Sequence, residues 1–283
     1  MPQTDQLPTR PTEAKTRPGR KPRLRLGSVI FAIAVTLIVL FVLAPLLVVA
    51  ASSVTSSGYL KFPPQGFSLQ WFGAAAENSK FVESFSTSIR LALGTMIISV
   101  VCGVLAAYAI NRYPGRIANF LEQLFLSPLM LPAVVFGLGF LFVLSAFGYR
   151  GSFSGALLAH VIVASPFVIR STLAGFRSMD SRLEEAARSL GAGPLRSFFT
   201  VVLPGVAGSV SSGAIFAFVI SFDEAVVTLF LTGPGFETLP VTIFTYVQYS
   251  NDPTVAAVST VLLIFCAVLV AVMMRLGKDG DER

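Results

Sequence analysis

Six long apolar stretches alternate with shorter polar ones along the chain. They cover residues 28–51, 85–110, 123–147, 153–176, about 205–231 and 254–276. Each meets the roughly 20 residues an α-helix needs to cross a ~30 Å hydrocarbon layer. A backbone amide in lipid finds no water and must pair inside its own helix. The pattern therefore predicts an all-α integral membrane protein with six transmembrane helices in a domain at residues 27–276. The first run is longer than a signal-peptide core of about 7–15 residues. Ala50-Ala51-Ser52 imitates a cleavage site, but the length favours an uncleaved anchor.

The polar segments differ in kind. Residues 1–26 are rich in Pro, Thr and Arg and lack apolar periodicity, which predicts a disordered basic tail. Residues 52–84 read as a loop with a short interfacial helix around 70–76. Residues 232–253, with Gly233-Pro234-Gly235, read as a loop, and residues 277–283 as a charged tail. Pro128 and Pro132 fall near the start of the third span.

The segment at residues 181–204 is a charged stretch between two spans, with Arg182, Glu184, Glu185, Arg188 and Arg196. Ser181 and Glu184 have capping-box spacing. The two acids would sit in the first turn, at the positive end of the helix dipole. Gly191 reads as a left-handed cap and Pro194 as the first residue of a second helix that runs into the fifth span at Leu203-Pro204. So short a helix is marginal alone in water. It must pack on a partner or lie on the bilayer.

Composition agrees with the pattern: of 283 residues 54% are hydrophobic and 13% charged, against about 25% charged in soluble domains. The net charge of +6 reflects membrane topology rather than nucleic-acid binding. With the N-terminus inside, and Arg170 within the fourth span left uncounted, sixteen Lys and Arg fall on the inner side, Arg17, Arg20, Lys21, Arg23, Arg25 and Arg112 among them. Four fall outside: Lys61, Lys80, Arg90 and Arg150. That bias predicts both termini and the polar loop in the cytoplasm.

Several chemistries lack their residues. His160 is the sole histidine, so a hydrolase has no second base and zinc no His cluster. Gly151-Ser152-Phe153-Ser154-Gly155 lacks the Gly-x-Ser-Gly spacing of intramembrane serine proteases. Cys102 and Cys266 lie in separate apolar runs, as small core or lipid-facing residues. No phosphate-binding Gly-x-x-x-x-Gly-Lys-Ser/Thr loop occurs. ATP, if it drives this chain, is bound by another polypeptide, and no cofactor is expected here.

The fifth span carries two features. Gly205, Gly208, Ser209, Ser212 and Gly213 form a small-residue face suited to close helix packing. Asp223-Glu224 lies further along; at 1.5 Å per residue Asp223 stands ~27 Å from Gly205, in the outer half of the membrane. Acids there either line a route or sit hydrated at the interface. Asp223, Glu224, Thr228 and His160 are the candidates for a translocation pathway, with helix packing the other reading of His160.

Glu185-Ala186-Ala187, three residues, Gly191, nine residues, Val201, one residue and Leu203-Pro204 resemble the EAA loop of permease subunits in ABC importers. The resemblance implies a type I importer fold in a bacterial inner membrane. It also implies an ABC ATPase dimer at the loop, a second permease subunit in a heterodimer and an extracytoplasmic solute-binding protein. Glu184, Glu185, Ala186, Ala187, Gly191, Leu203 and Pro204 become its ATPase-coupling residues. Ser221-Phe222-Asp223-Glu224, the stretch from Thr232 to Pro240, and Ala159-His160-Val161 with Pro166-Phe167-Val168 are similar to the second permease subunit of spermidine/putrescine importers. Related importers carry ferric iron, thiamine or phosphonates. A secondary transporter, which would need no ATPase, is the rival from another class; the paired interrupted helices it usually shows are not visible.

Overall fold

The computed structural model describes residues 26–180 and 182–281. The basic tail with its cluster from Arg17 to Arg25, and Ser181 of the expected capping box, lie outside these residues. The described residues fold into helices: α1 (Leu26–Ser52), α2 (Gln70–Glu77), α3 (Ser79–Arg112), α4 (Arg116–Leu126), α5 (Ala133–Ala146), α6 (Phe153–Ser178), α7 (Arg182–Ser189), α8 (Pro194–Ser197), α9 (Leu203–Gly205), α10 (Ala207–Asp223), α11 (Val226–Leu231), α12 (Leu239–Tyr249) and α13 (Thr254–Asp281). α1, α3, α6 and α13 are each long and apolar enough to cross a membrane. The segment to Leu46 forms a unit of its own, an apolar helix with Phe31 and Phe41 exposed.

The remaining two expected spans are bent pairs. The third is Arg116–Met130 followed by α5, bent by 103°, not one helix over 123–147. Proline is the cause. Pro128 sits in a 3-10 turn, and Leu131 before Pro132 is extended, with φ −86° and ψ 136°. The fifth also departs from the expected 205–231. Pro194–Gly205 meets α10 at 73°, where Pro204 and Gly205 end the helix and Val206 leaves helical geometry. Its middle, Phe198–Val202, is π-helical. At the far end α10 stops at Asp223; Glu224 is extended and α11 starts anew. Two further expectations change. Residues 232–253 contain α12, whose Leu239 amide donates to Ser88 Oγ at 2.8 Å. α13 remains helical through 277–281 rather than ending at 276.

The core is built by α3, α6 and α10. α3 and α6 run parallel and pack directly on each other, and α10 runs antiparallel to both, as shared clusters from Leu91–Ala156 and Ala92–Phe218–Phe222 at one end to Ala107–Leu173–Val206 at the other require. Small residues permit the approach. A Cβ on Gly213 would lie 2.9 Å from Val168 Cα, and one on Gly175 2.6 Å from Ser209 Oγ. Ser171 Oγ donates to the Ser209 carbonyl at 2.6 Å. The expected small-residue face thus packs at Ser209 and Gly213, while Gly205, Gly208 and Ser212 are exposed. α11 packs instead on α5, where Gly137 lets Val227 and Phe230 approach.

Capping completes the frame. Ser152 caps α6, accepting from the Gly155 amide at 3.1 Å. Asp252 caps α13 by accepting from the Thr254 amide at 2.9 Å, and takes the Tyr246 hydroxyl at 2.7 Å. Burial pushes the Asp252 carboxyl up, but the hydrogen bonds from Thr254 and Tyr246 outweigh it and hold it below the usual carboxylate range.

Candidate functional site

The residues singled out above gather at two places, at opposite ends of the three-helix core. His160 and Ser178 mark them on α6, about 27 Å apart at 1.5 Å per residue.

At one end Asp180 accepts from the first amides of α7: the Arg182 amide donates to its Oδ1 at 2.9 Å and the Leu183 amide to its carbonyl at 3.1 Å. Gly191 has φ +88°. Its amide donates to the Arg188 carbonyl and that of Ala192 to the Ala187 carbonyl, the two bonds of a Schellman cap. A Cβ at Gly191 would meet nothing within 4 Å, so the backbone angle alone demands glycine.

The two adjacent acids of α7 part company. Glu184 is 8% exposed. The Tyr108 hydroxyl donates to its Oε1 at 3.3 Å, and Arg112 Nη1 lies 3.8 Å from Oε2. Tyr108 meets Phe198 and Phe176 edge-on, with ring centroids 4.9 and 5.9 Å away. The carboxylate therefore ties α7 to the end of α3. Glu185 is exposed, as are Arg182, Leu183, Ala186 and Arg188; Ala187 is half-buried. Leu190 and Leu195 are 90% and 76% exposed, an apolar pair within a charged surface. Leu203 is half-buried and Pro204 exposed. Tyr108 was missed in the sequence, and Arg112 entered only as a topological charge. Their i, i+4 spacing, which places both on one face of α3, was the available signal.

At the other end α10 and α11 meet in a corner. Asp223, the last residue of α10, is exposed. Glu224 is half-buried; its Oε1 accepts from the Val227 amide at 2.9 Å, capping α11. The geometry gives the two acids different surroundings, and Glu224 is spent on the backbone. His160 and Thr228 are fully buried, within hydrogen-bond distance of each other. Ser221, also bonded to His160, entered the sequence reading only as part of the Ser221–Glu224 resemblance and not as a site residue. Among the described residues no cluster of His, Cys, Asp or Glu could hold a metal.

The family of binding-protein-dependent transport system inner membrane components matches residues 99–278. The chain belongs to that family. It is 27% identical over 247 residues to the spermidine/putrescine transport system permease protein PotC of Escherichia coli (strain K12), covering 87% of this chain and 93% of PotC. The putrescine transport system permease protein PotI of the same strain is 30% identical over 232 residues, 79% of this chain and 82% of PotI. PhnV of Salmonella typhimurium, named for a 2-aminoethylphosphonate transport system, is 28% identical over 255 residues, 89% of this chain and 95% of PhnV. In fold the chain resembles a crystal structure of a bacterial ABC transporter involved in the import of alginate. The TM-score is 0.73 at 17% identity, over 92% of this chain and 99% of the other. The chain is an inner-membrane permease subunit of an ABC importer, with the type I fold.

Proposed function

We propose that this permease imports polyamines, and that a separate ATPase drives it through α7. The solute reading rests on the likeness to PotC and PotI together with one observation, the exposed carboxylate of Asp223 at the tip of α10. A polyamine is a flexible chain of ammonium groups, and an exposed acid attracts it in low-dielectric surroundings more strongly than in water. The bias of Lys and Arg supports a cytoplasmic α7 and an extracytoplasmic corner. In this reading the exposed surface from Glu185 on α7 to Leu195 on α8 seats in a groove of the ATPase dimer. Glu185 orients the helix, Gly191 permits the turn, and a second permease subunit completes the route. A solute-binding protein delivers the polyamine from outside. ATP acts by changing how tightly α7 is held in the two states of the ATPase, since only differential binding shifts a conformational equilibrium.

The test is uptake by vesicles carrying the whole importer. Saturable, ATP-dependent uptake of putrescine or spermidine is expected, with 2-aminoethylphosphonate a poor competitor. Asp223→Asn should raise KM about tenfold. The likeness to PhnV supplies the competing reading: uptake of 2-aminoethylphosphonate without polyamine uptake would replace this proposal.

A further inference from the structure

His160 is the one histidine of the chain, and nothing in the coupling of ATP to transport uses it. It is 1% exposed and makes two hydrogen bonds of 2.8 Å. Nδ1 meets Ser221 Oγ in α10, and Nε2 meets Thr228 Oγ1 in α11. These partners stand on opposite sides of the break at Glu224-Ala225. One side chain from α6 thus holds both arms of a broken helix.

Counting protons fixes the direction of the Thr228 bond, and a neutral ring, the form burial favours, fixes the other. Thr228 Oγ1 carries one hydrogen and lies 2.7 Å from the Glu224 carbonyl oxygen, which can only accept. The threonine hydrogen goes there, so its oxygen accepts from His160 Nε2–H. A neutral imidazole with its proton on Nε2 offers a lone pair at Nδ1, which accepts from the Ser221 hydroxyl. The chain runs from Ser221 to His160 to Thr228 to the Glu224 carbonyl with each donor matched. In a buried site an unmatched member would cost the desolvation of a polar group, so the complete chain specifies one geometry.

That geometry ends on the acids. The Glu224 carbonyl is held by Thr228 and its carboxylate by the Val227 amide. Asp223, two residues from Ser221, is left exposed. We propose that His160 is a positioning residue for transport: as a neutral, Nε2-protonated ring it locks the corner between α10 and α11 so that Asp223, and not Glu224, is offered to a cationic substrate. The substrate part rests on the polyamine reading; the lock does not.

The experiment therefore has two arms in the assembled importer. In a Cys102→Ser, Cys266→Ser background, Ala225→Cys reports opening of the corner through its rate of maleimide labelling. Ala92→Cys, in the core between α3 and α10, reports general loosening. His160→Leu should raise labelling at 225 at least fivefold and leave 92 protected. His160→Gln, able to accept from Ser221 and donate to Thr228, should stay near the parent rate. Should His160→Leu fail to assemble, Ser221→Ala breaks one bond of the chain and should raise labelling at 225 two- to threefold. Unchanged labelling at 225, or labelling that rises equally at both positions, overturns the lock whatever the solute.

The second arm measures polyamine uptake. His160→Leu should raise KM about fivefold with the maximal rate of ATP hydrolysis unchanged. In an Asp223→Asn background it should add less than twofold, because both changes then remove one interaction. Multiplied losses, or a fall in rate at constant KM, overturn the positioning role. Absence of polyamine uptake in the parent overturns the solute reading alone, and the labelling still judges the lock.

Discussion

At the α7 end an eight-residue helix is tied down by one buried carboxylate, through contacts of 3.3 and 3.8 Å. At the corner of α10 and α11 a buried imidazole sits in hydrogen bonds of 2.7 to 2.8 Å that leave no donor unmatched. One end is sparsely held and turns most of its surface outward; the other is fixed from within. The difference fits the roles proposed for the two ends. An element that exchanges partners between two states is drawn from the weakly held part of a structure. A site that selects a solute gains from preorganisation, because ordering it on binding costs affinity. Between them stand α3, α6 and α10, packed on glycine and serine, which join the two ends.

The contrast is open to being broken, first at the shared core. Gly213→Val places a Cβ 2.9 Å from Val168 Cα, a backbone atom that has little room to give. Overpacking of this kind costs about 1–3 kcal/mol. The thermal midpoint of the purified protein should fall and both ends should fail together; transport lost at an unchanged midpoint would show that the core does not join them. Next in size is Glu185→Arg on the exposed face of α7. Uptake and ATPase association should drop at least tenfold while the midpoint stays put, and retention of both would remove the docking role.

A smaller effect is expected at the inner face of α7. Glu184→Gln and Tyr108→Phe should each lower uptake two- to fivefold and raise the ATP hydrolysed per solute imported. Their combination should be no worse than Glu184→Gln alone, since both cut the same contact. The smallest concerns Asp252, beside the corner end. Its carboxyl is held below the usual range, so its contribution is present at neutral pH and fades as acid protonates it. Shifting from pH 6 to pH 3 should lower the thermal midpoint of the parent more than that of Asp252→Asn. Equal shifts would deny it a capping charge.

Local chemistry was readable along the chain wherever neighbours in sequence decide the outcome. Long apolar runs had to be helices. Gly191 and Pro194 announced the turn after α7 because a left-handed angle and a missing amide are local matters. What depended on distant contacts was hidden. The prolines at 128 and 132 were visible, but a continuous apolar run masked the 103° bend they cause. α10 breaks at Glu224 with no proline at all; the Val227 amide and Thr228 hydroxyl, not a sequence signal, hold that corner. α12 passed as a loop because Val241, Thr242 and Ile243 are poor helix formers, and Ser88 from α3 supplies its cap. The separate fates of Glu184 and Glu185 follow from helix geometry only once the position of Tyr108 is known.

The elbow at Val206 has a mechanical side. Pro194–Gly205 meets α10 at 73°, so a thrust along the first axis resolves unequally on the second. About three-tenths of it runs along α10 and nearly all acts across it, provided the bend is rigid. Such a crank turns a short axial stroke into tilting rather than sliding. Under the proposed drive through α7, such tilting would swing the far tip of α10, where Asp223 sits, through the widest arc.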